Sequence, residues 1–379
     1  MGNGQSCTVE YQANMHVVIV GGGYAGCYLA VNLLKSNFCK VTLIDPRDAM
    51  YHNLGAVRAV VDEDFMKSMF LPFSEMLGDS FLRGTVVGVN SDQKSLTLKS
   101  GYQLNYTHLV IATGQQSPFP YKLSGEFAEL SADKAANLLN DYRSELANSE
   151  RIALIGGTYN SVELAGEIKS AYPDKEVIII TEEDHLVTKR GRPATQKNLH
   201  DLLSQKGISV AYGESVCNLD EITTNKRNDG QVLRTKLGST IVADFVVTSL
   251  GKKLNNEFYE KVLATSLTPD GALEVNEHLK VKGHGNIYAM GDVTNVDEEK
   301  TPCTPTEHAK VVKANLIAEC TNGNPTAYKT DMEVILVSVG KDAGVSQIWG
   351  RQLGKFPAWM AKGRDRMAGD IWGKLGLKC

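Results

Sequence analysis

The 379-residue chain has no closely spaced cysteine pair. Its seven cysteines (Cys7, Cys27, Cys39, Cys217, Cys303, Cys320 and Cys379) are scattered and odd in number. That pattern excludes a CxxC-type zinc site or redox dithiol and argues against a secreted disulfide framework, so reduced thiols in the cytosol are expected. Also lacking at the start is a basic segment followed by a compact apolar run, and no secretory signal is expected. The one long uncharged stretch, Tyr11 to Leu34, holds three consecutive glycines together with Gln12, Asn14, His16 and Asn32. These make it a poor membrane span, even though Gly22 and Gly26 match the GxxxG spacing of membrane helices. There is no low-complexity segment and no net basic excess: the formal charge is -4, which argues against a general nucleic-acid binder.

With 42% hydrophobic residues the chain reads as globular, and its length implies two or three domains. The average charge conceals an asymmetry. From Trp349 onward there are seven Lys/Arg (Arg351, Lys355, Lys362, Arg364, Arg366, Lys374, Lys378) against Asp365 and Asp370, a tail of +5. The remainder holds 33 basic and 42 acidic residues, or -9, and all three tryptophans lie in the tail.

Periodicity predicts a βαβ unit from strand His16 to Val20, helix Ala25 to Lys35 and strand Val41 to Ile44. A second unit follows with strand Arg151 to Ile155, helix Val162 to Ser170 and strand Glu176 to Ile180. Two such units suggest two nucleotide-binding domains. Between them, Gly84 to Asn90 and Ser95 to Lys99 read as antiparallel strands, and His108 to Ala112 as a buried strand ending in Thr113-Gly114. Ile241 to Leu250 reads as one apolar strand, Gly285 to Asp292 as a strand-to-Gly-Asp junction, and Met332 to Val339 as the opening of a C-terminal piece.

Gly21-Gly22-Gly23-Tyr24-Ala25-Gly26 forms a GxGxxG turn directly after a strand and before a helix, with Asp45 19 residues beyond Gly26. In that setting the glycines permit a tight turn and close backbone approach, the helix N-terminus faces a pyrophosphate, and Asp45 accepts from ribose hydroxyls. Asp292, at the carboxyl end of its strand, is either a turn former or a group placed to bind a polyol such as the ribityl chain of a flavin.

Together with Tyr51-His52-Asn53, Arg58, Leu109 to Gly114, Pro118 to Lys122, Val162 to Ile168, Val275 to His278 and Ile287 to Asp292, the glycine turn resembles one family. It is the ferroptosis suppressor family of apoptosis-inducing-factor-like NAD(P)H:quinone oxidoreductases. The resemblance implies an α/β fold with two Rossmann-like, glutathione-reductase-like domains and a small C-terminal α+β domain. The expected division is 1–14 as an acylated segment, 15–122 with 252–328 as the FAD domain, 123–251 as the NAD(P)H domain, and 329–379 as the C-terminal domain. It also implies a non-covalent FAD held by Gly21 to Ala25, Asp45, Arg58, the backbone of Val86, Thr113, Gly114 and Asp292, and an enzyme that reduces a membrane quinone such as ubiquinone to a lipid-protecting quinol.

The second turn, Gly156-Gly157-Thr158-Tyr159-Asn160-Ser161, departs from that pattern, with Thr158 in place of the middle Gly and Ser161 in place of the third. The Cβ of Thr158 points toward the space a pyrophosphate wants, so NAD(P)H binding is less secure than FAD binding. Glu163 occupies the family position expected to face the nicotinamide. Glu182 and Glu183 favour NADH over NADPH, because a carboxylate bonds a free 2′-hydroxyl and repels a 2′-phosphate, or else they belong to a solvated loop. Quinone reduction needs protons, for which Lys122, Glu307 and His308 are candidates. The alternative is an exposed lysine and a first-turn acid stabilised by the helix dipole.

Met1-Gly2 to Ser6 fits N-myristoylation at Gly2, and Cys7 is a palmitoylation candidate. One acyl chain binds reversibly, and the basic tail with Trp359 and Trp372 supplies a second membrane signal, or a packed domain or homodimer surface. Peripheral placement on the cytosolic face of a lipid droplet, plasma membrane or mitochondrial outer membrane is expected. Three rivals stand beside this reading: a disulfide reductase, disfavoured by the unpaired cysteines; a weakly active FAD/NADH redox sensor; and an apoptosis-related nucleic-acid-binding signalling protein.

Overall fold

A computed structural model describes residues 10–251, 253–299, 304–330 and 334–378. Gly2, Cys7 and Cys303 lie outside the described residues.

Two parallel sheets organise the chain. In the first, strands Gln12–Val20, Cys39–Asp45, Phe81–Arg83, His108–Ile111 and Ile287–Ala289 are all parallel. Gln12–Val20 is central, between Cys39–Asp45 and His108–Ile111. The strands are nearly continuous runs of Val, Ile and Leu because both faces are covered. The second sheet orders Ile208–Tyr212, Glu176–Thr181, Arg151–Ile155 and Phe245–Thr248, again parallel. The chain leaves the first sheet after His108–Ile111, completes the second, and returns to the first at Ile287–Ala289. The outgoing and returning segments pair antiparallel at Gln115–Gln116 and Lys253–Leu254.

Both βαβ units form where the periodicity places them, each helix starting one turn or less earlier than expected: Tyr24–Ser36 and Tyr159–Ala171. The apolar run Ile241 to Leu250 is not one strand. It divides into Thr240–Ala243, which pairs antiparallel with Gln231–Arg234, and Phe245–Thr248 in the second sheet. Asp244 is the reason: its buried carboxylate accepts from the Arg151 N–H, from the Arg151 guanidinium at 2.6 Å and from the Gly230 N–H at 3.0 Å, which fixes the bend.

The C-terminal piece is an antiparallel meander, Val334–Val339, Ala343–Ile348 and Arg351–Gln352, followed by short helical turns. It packs directly on the helix Tyr159–Ala171. A Cβ on Gly166 would lie 2.4 Å from the Gly340 nitrogen, so glycine at that position is what allows helix and hairpin backbones to touch. The tail is not a detached basic arm. Trp372 is buried in the first core and its indole donates to the Ser68 carbonyl at 3.3 Å, and Lys362 and Arg366 are buried too. Of the seven tail cations only Arg351, Lys355, Arg364, Lys374 and Lys378 remain on the surface.

Candidate functional site

The first glycine turn is shaped by backbone contact. Gly21 has φ +109°, and a Cβ there would lie 2.5 Å from the Ala112 carbonyl oxygen. A Cβ on Gly26 would lie 1.9 Å from the Gly21 carbonyl oxygen, so the helix can start only with glycine at this position. A Cβ on Gly22 would strike the Phe73 ring at 2.4 Å. Gly23 is different: nothing lies within 4 Å of its would-be Cβ, and no side chain caps the helix that starts at Tyr24. Open space against uncapped N–H groups is the cradle a pyrophosphate requires, so these residues fit a dinucleotide. Asp45, buried at the end of its strand, accepts from the Gly22 N–H at 2.7 Å and from Arg47 at 2.9 and 3.0 Å. It thereby ties the turn to the second strand.

The turn that carries Asp292 lies beside the first glycine turn. A Cβ on Gly291 (φ +75°) would lie 3.9 Å from the Ala25 Cβ, and Lys122 donates to Asp292 at 3.3 Å and to the Gln115 carbonyl at 2.9 Å. Thr113 and Gly114 mark where the chain crosses between sheets, the Thr113 hydroxyl donating to the Asn255 carbonyl at 2.7 Å. Val86 opens a strand of the antiparallel layer, paired with Leu98. The Tyr24 hydroxyl accepts from the Leu54 N–H at 3.1 Å and shares a hydrogen bond with Nδ1 of His52 at 3.0 Å. Burial pushes the His52 imidazole down to about 3, so the ring is neutral.

Several expected site residues have partners that sequence reasoning does not supply. Arg58 is not open to a cofactor: it forks onto Glu167 at 3.0 and 2.7 Å and donates to the Arg364 carbonyl at 3.1 Å. Glu163 is buried between Arg366 and Lys362, the latter at 2.7 Å, and accepts from the Ser338 N–H at 3.4 Å. Burial alone would push its carboxyl up, but Arg366 and Lys362 outweigh that and hold it below the ordinary carboxylate range. Arg366 also donates to the Leu54 carbonyl at 2.8 Å. One guanidinium thus links the Leu54 loop, the helix Tyr159–Ala171 and the C-terminal segment. Lys362 and Arg366 were missed because their positions carry no motif; Glu167 lies in the recognisable segment Val162 to Ile168, but its pairing with Arg58, 109 residues away, is not legible there.

His308 and Glu307 separate. Glu307 is exposed and pairs with Lys310 at 2.7 Å, whereas His308 is fully buried and its Nδ1 accepts from the Gly291 N–H at 3.0 Å.

The second glycine turn lines a cavity of about 320 Å³ with Glu182, Glu183, His185 and Glu214. Gly156 keeps the positive φ of its counterpart, at +104°. The Thr158 hydroxyl donates to Ser249 at 2.9 Å and accepts from the Ser161 N–H at 3.4 Å, while the Ser161 and Ser249 hydroxyls meet at 2.7 Å. The two substitutions therefore form one hydroxyl cluster that caps the helix, in place of the bare N-terminus of the first turn.

The four described free cysteines offer no dithiol: Cys27 and Cys39 are buried, and burial pushes the Cys39 thiol up to about 12.

Comparison with known proteins agrees with this geometry. Residues 15–318 match the family described as pyridine nucleotide-disulphide oxidoreductase. Ferroptosis suppressor protein 1 of Taeniopygia guttata is 35% identical over 369 residues, covering 97% of this chain and 98% of that protein. The protein of the same name from Homo sapiens is 35% identical over 370 residues, with the same coverage. Among solved structures, the sulfide:quinone oxidoreductase of Aquifex aeolicus shares the fold at a TM-score of 0.74 and 19% identity, covering 96% of this chain and 92% of that one.

Proposed function

The chain belongs to the pyridine nucleotide-disulphide oxidoreductase family, among the ferroptosis suppressor proteins, and is an FAD-dependent NAD(P)H oxidoreductase; we propose that it passes electrons from NADH to a quinone at a lipid surface. The observation that carries this reading is the absence, among the described residues, of any cysteine pair beside a two-nucleotide site. Without a dithiol among those residues, electrons would leave the flavin directly to a diffusible acceptor.

A flavin held at the first glycine turn would supply the hydride-accepting and electron-passing chemistry. Gly21 to Ala25, with Gly26 packing the helix close, would hold the pyrophosphate, and Asp45 would hold the ribose. Asp292 and Lys122 lie together where the two crossings meet. Lys122 is the cation that would move a proton or bond a reduced ring. Gly156, Gly157 and the carboxylates Glu182 and Glu183 take the nucleotide, and the acidic lining favours NADH. Glu163, clamped by Arg366 and Lys362, orients the helix that presents the nicotinamide. Val86, Thr113 and Gly114 contribute backbone contacts. Arg58 supports Glu167 from beneath, and Glu307 stays in solvent.

Quinones of this kind reside in lipid, and the exposed side chains of Trp349, Leu353, Phe356, Trp359 and Met360, interleaved with Arg351 and Lys355, suit a membrane interface. No helix among the described residues is long and apolar enough to cross a membrane. Attachment to the cytosolic face of a lipid droplet, plasma membrane or mitochondrial outer membrane, reinforced by acylation at Gly2 and at Cys7, completes this reading; the same face is the candidate homodimer surface.

The test is anaerobic bleaching of the bound flavin by NADH, followed by turnover with a short-chain quinone and, separately, with oxidised glutathione. Quinone-dependent NADH oxidation without glutathione reduction is expected. Glutathione reduction without quinone turnover would overturn the proposal. Bleaching with negligible turnover on either would favour the redox-sensor reading, which Thr158 in the middle glycine position motivates.

A further inference from the structure

The carboxylate of Asp292 extends from a turn, Met290 to Thr294, that several hydrogen bonds hold in place. The Met290 N–H still belongs to the sheet and donates to the Ile111 carbonyl at 3.0 Å. The next N–H, that of Gly291, leaves the sheet and is taken by Nδ1 of His308 at 3.0 Å, while the Gly291 carbonyl accepts from the Thr294 hydroxyl at 3.0 Å. Acceptance at Nδ1 places the imidazole proton on Nε2. Nε2 lies 3.0 Å from Oε1 of Glu298, a close polar contact whose geometry falls short of a hydrogen bond. The other Glu298 oxygen accepts from the Tyr328 hydroxyl at 2.5 Å, and the Tyr328 ring stands edge-on to the imidazole at 4.4 Å between centroids.

Glu298 is itself held from the far side. Its neighbours Asp297 and Glu299 point the other way, Asp297 onto Arg190 at 2.5 Å and Glu299 onto the Thr188 hydroxyl at 2.5 Å. One short acidic run therefore sends its central carboxylate inward to the imidazole and its flanking carboxylates outward to the segment beside the second nucleotide cavity.

We propose that His308 is a positioning residue for the flavin: oriented by Glu298 and Tyr328, its Nδ1 fixes the Gly291 N–H and so sets the direction of the Asp292 carboxylate. The imidazole is too buried to exchange protons with a substrate, and its only lone pair is engaged by the turn. The inference rests on the reading that this chain binds FAD with Asp292 at the flavin.

The experiment measures FAD affinity of the apoprotein by fluorescence, together with the visible circular dichroism of the bound flavin. H308L removes the acceptor and is expected to weaken FAD by at least ~10-fold, the consequence of stranding one buried donor, and to shift the visible dichroism. H308N places an amide oxygen near the Nδ1 position and is expected to restore affinity to within about 3-fold of wild type, because the acceptor is what matters. Equal weakening by H308N and H308L, or wild-type affinity in H308L, overturns the proposal. If H308L does not fold, E298A decides: a dichroism shift with weakened FAD supports the relay, and an unchanged spectrum and affinity overturns it. D292N keeps the two readings apart. FAD binding unaffected by D292N removes the premise, whereas weakening by D292N with no effect of H308L removes only the role of His308.

Discussion

Gly23 and Gly26 stand three residues apart in one turn, yet a methyl group meets opposite surroundings at the two positions. At Gly23 it enters space free of protein atoms within 4 Å; at Gly26 it collides with the Gly21 carbonyl at 1.9 Å. Gly23→Ala is therefore expected to leave the melting temperature of the apoprotein within a degree or two while weakening FAD by at least ~10-fold, because the methyl occupies the pyrophosphate cradle. Gly26→Ala is expected to destabilise the apoprotein itself by about 1–3 kcal/mol or more, since backbone must move. Calorimetry of both apoproteins checks the contrast, and an unaffected FAD affinity in Gly23→Ala would show that the cradle lies elsewhere. Glu163 yields a second prediction at this scale. Its removal in Glu163→Gln leaves two buried cations uncompensated and is expected to cost about 3–5 kcal/mol by urea unfolding at neutral pH. Because the folded carboxyl is held below its ordinary value of 4.5, its stabilisation is fully present above that pH and is lost as the pH falls through the lower folded value. The difference between wild type and variant should accordingly shrink on acidification below about pH 4.5 and stay flat from there to neutrality.

At the scale of elements, the helix Tyr159–Ala171 carries two constraints that act in different directions. Its Thr158 cap binds Ser161 and Ser249, and its Gly166 admits the C-terminal hairpin. Thr158→Gly is expected to lower stability by only a few tenths of a kcal/mol, since glycine is tolerated at an N-cap. It should also lower the KM for NADH by freeing the backbone approach, and a rise in KM would show instead that the hydroxyl cluster serves the nucleotide. Gly166→Ala places a Cβ 2.4 Å from the Gly340 nitrogen and is expected to cost about 1–3 kcal/mol, with faster hydrogen exchange over the hairpin Val334–Ile348. These features divide by how local they are. Both βαβ units, the glycine turns and the positions of Asp45 and Asp292 were legible because turn conformation and strand periodicity are written within a few residues. The partition of Ile241 to Leu250 was not, because the break is imposed by Arg151, 93 residues away from Asp244 in sequence. The hydroxyl cluster was half legible: the departure at Thr158 stood out, but its engagement with Ser249 depends on a strand that is remote in the chain.

Across the whole molecule, the charge asymmetry proves to have two parts that composition cannot separate. A run of Lys and Arg reads as solvent-facing because such side chains are seldom buried unless paired, and the partners of Lys362 and Arg366 lie about two hundred residues upstream at Glu163. Of the cations that stay on the surface, Arg351 and Lys355 lie in the stretch 349–360, where Trp349, Phe356 and Met360 are 68%, 62% and 56% exposed. The two parts make opposing predictions for two ways of removing the tail. Truncation before Trp349 deletes both cations and the buried Trp372, leaving Glu163 as an uncompensated buried charge and opening the first core, so the protein is expected to lose several kcal/mol and its cooperative unfolding transition. The double substitution Phe356→Ser with Met360→Ser touches only exposed apolar surface and is expected to change stability by less than about 0.5 kcal/mol. Its effect should appear in co-sedimentation with vesicles containing anionic lipid, where the loss of two inserted side chains lowers binding by at least ~10-fold while turnover with a water-soluble quinone persists. Undiminished vesicle binding in that variant would remove this face as the lipid contact, whereas a stable, flavin-loaded truncation would show that Lys362 and Arg366 are not needed to compensate Glu163.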